Sequence, residues 1–297
     1  MRVSTSQLNR LALNSILEQQ AKASRSQLEI SSGKRIITPS DDPVGTVKSL
    51  SMQRNLERLS QFERNGSLLQ GRLAEQESLM TNGVNILQRV REIVVQGANA
   101  SQGDESRQLL AIEVRQQLQS MLQVANTQDS EGRFIFSGMD EATPTVPTSP
   151  PFSFAGSTDV RELQIGPSTF IKDTVDGFKA FGFDGAQNVF DLLSSVATEL
   201  ETPGASTVDI AAKLTDLDKA LGSLSVARTE IGVRLTQIED QSALSGGVVL
   251  QLQTALSETQ DVDYAEAITR FNQQLLGLQA AQQAYTKVQG LSLFNYL

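Results

Sequence analysis

Two short carboxylate runs are the segments of this chain best suited to chemistry. Asp41-Asp42 before Pro43 could hold a cation or share a proton, and Asp261-Val262-Asp263 could open a calcium loop. Neither is completed. No third ligand follows Asp42 at a suitable spacing, and the glycine and bidentate glutamate that a calcium loop needs are missing after Asp263. The simpler reading makes Asp42 the cap of a helix whose first residue is Pro43, where proline gives up no hydrogen bond, and makes Asp261 to Asp263 a cap and linker. No glycine-rich phosphate loop occurs. The chain has no Cys, His or Trp among its 297 residues. It therefore offers no thiolate nucleophile, no Ser-His-Asp triad, no zinc site of the usual ligands and no side chain that ordinarily titrates near neutrality. An enzyme would have to work with carboxylates, Lys, Tyr or Ser alone, and no nucleophile–base pair recommends one. No catalytic residue, metal or cofactor is expected.

The charge pattern narrows the partners. Lys plus Arg is 25 against 34 Asp plus Glu, a net charge of -9, so a nucleic acid, which needs a basic face and stacking aromatics, is a poor partner. The basic charge gathers at the start, where Arg2, Arg10, Lys22, Arg25, Lys34 and Arg35 outnumber Glu18 and Glu29. Polar residues interrupt that segment too often for a cleaved secretory signal, and no apolar run approaches the roughly 18 residues of a membrane span. Arg89 and Arg91 read as a solvated helix face or as a contact with another subunit.

The elements that would position these residues are helices. All 8 prolines lie between Pro39 and Pro203, and five of them between Pro144 and Pro167, so both flanks are nearly free of helix breakers. From residue 43 to 100 a heptad seam runs through Leu59, Gly66, Leu73, Met80, Leu87 and Val94. Its phase holds across Asn65-Gly66 and Asn82-Gly83, which predicts one helix with glycines on the seam in place of two hairpin turns. A second helix is predicted after Gly103, capped by Asp104. A third starts in a capping-box-like Ser206-Thr207-Val208-Asp209, with its seam from Leu214 to Leu256. Three such helices bury their seams against one another in a rod-like bundle. Between them, Phe134 to Phe136, Phe152 to Phe154, Val160 to Ile165 and Thr169 to Val175 read as short strands of a β insertion. A short helix from Ala186 to Leu200 returns the chain to the bundle.

Both ends are amphipathic. Leu13, Leu17, Ala21 and Leu28 line one side of residues 5–32, and Tyr264, Phe271, Leu278 and Tyr285 recur every seven residues with Ile268 and Leu275 between them. Lone helices of this kind are marginal in water, so they should pair with each other or with other copies. The expected architecture is mainly α: an elongated helical bundle with a small β-rich insertion and amphipathic terminal helices. Its expected parts are an N-terminal assembly helix (1–40), a first bundle segment with a β-hairpin (41–140), the outer insertion (141–185), a second bundle segment (186–260) and a C-terminal assembly helix (261–297). The ends should be protease-sensitive until assembly orders them.

Four segments resemble the flagellin family: Leu28-Glu29-Ile30-Ser31-Ser32-Gly33-Lys34-Arg35-Ile36 with Pro39-Ser40-Asp41-Asp42-Pro43-Val44-Gly45, Leu87 to Ile93 with Val95 to Asn99, Gly132 to Gly138, and Asp263-Tyr264-Ala265. Within the family, Met1 to Thr5, the Pro39-Ser40-Asp41-Asp42-Pro43 loop and Leu291 to Leu297 look like the members found at the junction of hook and filament; a filament flagellin is the alternative. The resemblance implies a secreted, non-catalytic building block of the extracellular flagellum. It would wait in the cytoplasm with an export chaperone, leave through the flagellar type III channel, and form a ring of copies between hook-associated protein 1 and the first flagellin subunits. It implies no nucleic acid and no membrane partner. In flagellins the side corresponding to Arg89, Ile93 and Glu113 is the surface read by an animal innate receptor, of which little is expected here; Arg89, Arg91, Ile93 and Glu113 are a candidate subunit-contact surface.

Overall fold

The structure, a computed structural model, describes residues 5–185 and 187–294. The expectations placed on Met1 to Ser4, on Ala186 and on Asn295 to Leu297 lie outside the described residues. The elements are α1 (Thr5–Ser32), α2 (Pro43–Gly97), α3 (Asp104–Ala125), β1 (Glu162–Gln164), β2 (Phe170–Lys172), α4 (Gly177–Ala180), α5 (Val189–Glu201), α6 (Thr207–Gln260) and α7 (Tyr264–Phe294).

Local chemistry explains where the long helices begin. Asp42 accepts the Gly45 N–H at 2.8 Å while Pro43 takes the first helical position, so α2 starts on a side-chain cap. Helix α2 then runs through both Asn-Gly pairs without a break. The reason is packing: a β-carbon at Gly66 would stand 3.6 Å from Ile238, and one at Gly83 would stand 3.4 Å from Leu224, so neighbouring side chains fill the seam where the glycines lie. Ser206 caps α6 through the Val208 N–H at 3.2 Å. Helix α3 differs from expectation. Its cap residue is Gly103, and Asp104 sits in the first turn, where its carboxylate favours the positive helix end and accepts the Gly204 N–H at 3.3 Å.

The middle contains less β-structure than the sequence suggests. Among the described residues only β1 and β2 form a ladder, antiparallel, with Leu163 opposite Ile171, and Gln128 and Phe134 make an isolated bridge. Phe134 to Phe136 is no strand: Phe134 N–H goes to Glu141 and Ile135 N–H to Thr127, with Gly132 and Gly138 turning the chain at positive φ. Phe152 to Phe154 likewise makes no ladder. Side chains hold this part of the chain instead. Phe136, Phe152, Phe154, Phe178, Phe181, Phe183 and Phe190 form a cluster with ring centroids 5.5 to 6.1 Å apart. The short helix begins at Val189 on an Asn188 cap.

The chain divides into two compact units. One comprises residues 1–58 with 247–297, the other residues 59–246. In the second, buried residues of α2 (Leu73, Met80, Leu87, Val94), α3 (Val114, Leu118, Met121), α5 and α6 (Leu217, Leu224, Ile231) join Phe136, Phe152, Phe181 and Phe190 in one core. An ion network secures the insertion to it. Asp173, 3% exposed, takes Arg72 at 2.8 Å and also Arg161. Gln76 donates to the Asp173 carbonyl at 2.9 Å and accepts the Val175 N–H at 3.1 Å.

Candidate assembly surface

In the unit formed by both chain ends, the segment after α1 is fastened to the segment after α6. Val262 N–H donates to the Gly33 carbonyl at 3.0 Å, and Arg35 N–H donates to the Gln260 carbonyl at 2.7 Å. The Arg35 guanidinium reaches the Thr259 carbonyl at 2.9 Å. Gly33 has φ of 69°, a conformation open mainly to glycine, with the Tyr264 hydroxyl 2.9 Å from the place a β-carbon would take. Gly45 is constrained by space alone, since a β-carbon there would stand 2.5 Å from the Asp42 carboxylate and 2.7 Å from Ile36. The two aspartates have separate structural tasks. Asp42 caps α2, while Asp41 accepts the N–H groups of Thr38 at 2.9 Å and Ile37 at 3.1 Å and pairs with Arg25 at 2.7 Å. The Thr38 N–H holds the Asp41 carboxyl below its usual range against the opposing effect of burial, with Ile37 and Arg25 adding to the lowering. Asp263 caps α7, accepting from Ala265 at 2.9 Å and Glu266 at 3.2 Å. Ser32, Lys34, Ile36, Pro39 and Gln260 line a groove of about 300 Å3 beside this bridge.

Helices α1 and α7 pack against each other and run antiparallel, with Glu29 near Arg270 and Gln19 near Gly277. The shielded positions repeat in heptads: Ala12, Ile16, Gln19, Ala23, Ser26 and Ile30 on α1, and Ala267, Phe271, Gln274, Leu278, Ala281 and Tyr285 on α7. The predicted residues therefore fall into two sets. Phe271, Leu278 and Tyr285 lie on the seam and Leu275 is half-buried, whereas Leu13, Leu17, Ala21, Leu28, Tyr264 and Ile268 are exposed. The α1 residues chosen from the sequence are thus its outer face. The true seam, rich in Ala, Ser and Gln, has too little hydrophobic contrast to stand out in the sequence. Leu11 and Leu276 join the exposed set.

The second candidate surface needs a correction. Ile93 is 1% exposed and belongs to the core, because its position on α2 turns it inward between Val90 and Val94. Arg89 does face solvent, where it bonds Glu113 at 2.7 Å and Glu92 at 2.9 Å, and these bonds raise its pKa further. Arg91 bonds Asp218 at 2.9 Å. The sequence reading missed two charged groups altogether: the Arg72–Asp173–Arg161 network and the Glu29–Arg270 pair. Arg72, Glu29 and Arg270 each stand next to an apolar or aromatic residue, which is common on any helix, and Asp173, between Lys172 and Thr174, gave no signal at all. Among the described residues no cluster of carboxylates could hold a metal ion, and no helix is long and apolar enough to cross a membrane.

Long helices whose seams bury one another, two chain ends joined in one paired element and an apolar face left outside define a class of helical structural subunits built to associate. Comparison with known proteins makes this specific. The profile of the bacterial flagellin N-terminal helical region matches residues 3–141, and that of the C-terminal helical region matches residues 214–297. Flagellar hook-associated protein 3 of Escherichia coli K12 is 28% identical over 99% of both chains. Flagellin of Bacillus subtilis 168 is 29% identical over 93% of this chain and 90% of its own. A solved flagellar hook-associated protein of Vibrio parahaemolyticus superposes with a TM-score of 0.70 at 25% identity, covering 74% of this chain and all of that one. The chain belongs to the flagellin family, a family of structural flagellar proteins.

Proposed function

We propose that this chain is a non-catalytic adaptor that joins the flagellar hook to the filament; its E. coli relative is by name a hook-associated protein. The observation that carries the reading is end-to-end similarity to a hook-associated protein, together with an outer apolar face on α1 that is exposed among the described residues. The parts have distinct tasks. The unit containing residues 59–246 supplies a preformed helical core. The terminal pair α1·α7 supplies the assembly element: its leucines are covered when copies of the chain and their neighbours associate, and that burial contributes the driving force. The neighbours are hook-associated protein 1 on one side and flagellin on the other, with the copies forming a ring that seeds the filament. Before assembly the chain is held by a cytoplasmic chaperone and leaves through the flagellar type III channel to its extracellular place. The paired Arg89–Glu113 and Arg91–Asp218 side chains are contact points on the outside of the core unit.

A deletion strain tests this directly. Loss of filaments from otherwise complete hooks, restored by the gene supplied in trans, is the expected outcome. Normal filaments and swimming would overturn the reading. The alternative, a filament flagellin, draws on the similarity to B. subtilis flagellin. Immunogold labelling decides between the two: a band at the filament base supports the adaptor, and label along the whole length supports the flagellin.

A further inference from the structure

The seam between α1 and α7 presents a choice that hydrophobicity alone would decide the other way. The face of α1 turned toward α7 carries Ala12, Ile16, Gln19, Ala23, Ser26 and Ile30, two isoleucines among small and polar residues, while the face with three leucines, Leu13, Leu17 and Leu28, points away. By transfer energy the leucines are the better seam. Something must make the weaker face win.

The feature that distinguishes the two faces is Glu29. It is 6% exposed, its Oε1 accepts from Arg25 at 3.3 Å, and its Oε2 is buried without a hydrogen bond, 3.8 Å from an Arg270 guanidinium nitrogen. A buried carboxylate costs several kcal/mol unless a cation stands beside it. Arg270 is the sole cation of α7 before Lys287. Arg25 is in turn held by Asp41, at 2.7 Å. Rolling α1 to bring Leu13, Leu17 and Leu28 onto α7 would carry Glu29 to the opposite flank, away from Arg270, and would pull Arg25 from Asp41. We infer that the Glu29–Arg270 pair, braced by Arg25, determines which face of α1 meets α7, so that the leucine face stays outside. Buried charges at helix seams are best attested in this selecting role, at a cost in stability. That the spared leucines serve assembly rests on the function proposed above; the choice of face does not.

Because the chain has no cysteine, the face can be read by disulfide trapping in the isolated full-length protein. Gly277 lies against Gln19, so Gln19→Cys with Gly277→Cys reports the observed face. Leu17→Cys with Gly277→Cys reports the rolled one, because Leu17 and Gln19 lie about 160° apart around the helix. In the otherwise unchanged chain the first intramolecular disulfide should dominate by about tenfold or more. Adding Glu29→Gln, which keeps the shape, or Arg270→Gln should raise the ratio of the second product to the first by about tenfold. Lys22→Gln, which breaks only the exposed Glu18–Lys22 pair, should leave that ratio alone. An unchanged ratio in both Glu29→Gln and Arg270→Gln would overturn the inference, and so would an equal change with Lys22→Gln. Loss of both products would overturn it too, since the pair would then hold the helices together without choosing their face. None of these results depends on what the outer face binds. Failure of the adaptor reading would appear in the deletion strain and leave the disulfide ratio untouched.

Discussion

Replacing Leu13, Leu17 and Leu28 together by glutamine should separate folding from assembly. These side chains are 45%, 60% and 55% exposed in the single chain, so little of their burial contributes to its own stability. Gln keeps nearly the helix propensity of Leu, and each exposed substitution should change folding by no more than about 0.5 kcal/mol. If neighbouring subunits cover the exposed remainder, the three together contribute about 2–5 kcal/mol per subunit, taking about 1.5–3 kcal/mol for a fully buried leucine. At about 1.4 kcal/mol per tenfold, the variant should need about 30-fold to over 1,000-fold more protein to assemble. The assay is addition of purified protein to hook-ended flagella of the deletion strain, scored by regrowth of filaments from added flagellin, with circular dichroism and thermal unfolding of the variant alongside. Regrowth at the unmodified concentration would refute the argument that this face is covered on assembly. A large drop in helix content or melting temperature would refute the claim that it is an outer face.

Other outcomes follow from the same contacts. Asp173→Ala removes the buried carboxylate that Arg72 and Arg161 share and leaves them the longer pairs with Asp129 and Glu141, so it should lower the stability of the core unit by about 1–3 kcal/mol in chemical denaturation; Arg161→Ala, which removes the more exposed partner, should cost less. Gly97→Ala would put a β-carbon 2.5 Å from Leu200, so it should destabilise by about 1–3 kcal/mol, with Leu200→Ala expected to relieve the clash at the expense of a cavity. Asp41 has its pKa lowered in the fold, so its contribution is present above the ordinary carboxylate range and is lost as the pH falls through its lowered value. Amide exchange at Ile37 and Thr38, measured at falling pH and corrected for intrinsic rates, should accelerate there and should become pH-insensitive in Asp41→Asn.

The parts of this fold that could be read in advance were those where one strong local pattern had no competitor. The α2 seam from Leu59 to Val94 predicted a helix through two Asn-Gly pairs, because turning at either pair would have thrown the rest of the apolar seam out of phase. Asp42 before Pro43 and Asp263 before Tyr264 announced their caps through nearest neighbours alone. Readings failed where the deciding partner was distant. Phe134 to Phe136 has the composition of a strand, but its N–H groups find loop carbonyls and its rings find Phe181 and its neighbours. On α1 the leucine stripe was the strongest signal and pointed to the outer face, because the inner face is set by a glutamate and by an arginine 241 residues further along.

The backbone bridge between Gly33 and Val262, with Arg35 to Gln260 beside it, also has a mechanical consequence. Helices α1 and α7 leave it side by side, so a pull on the two chain ends opens the pair like a zipper, a turn at a time, starting far from the bridge. Each turn of so small and polar a seam resists only weakly. The load then meets the antiparallel bridge, where the bond between Gly33 and Val262 is strained before the one between Arg35 and Gln260. A subunit under tension would give way at its ends first while keeping its larger unit folded.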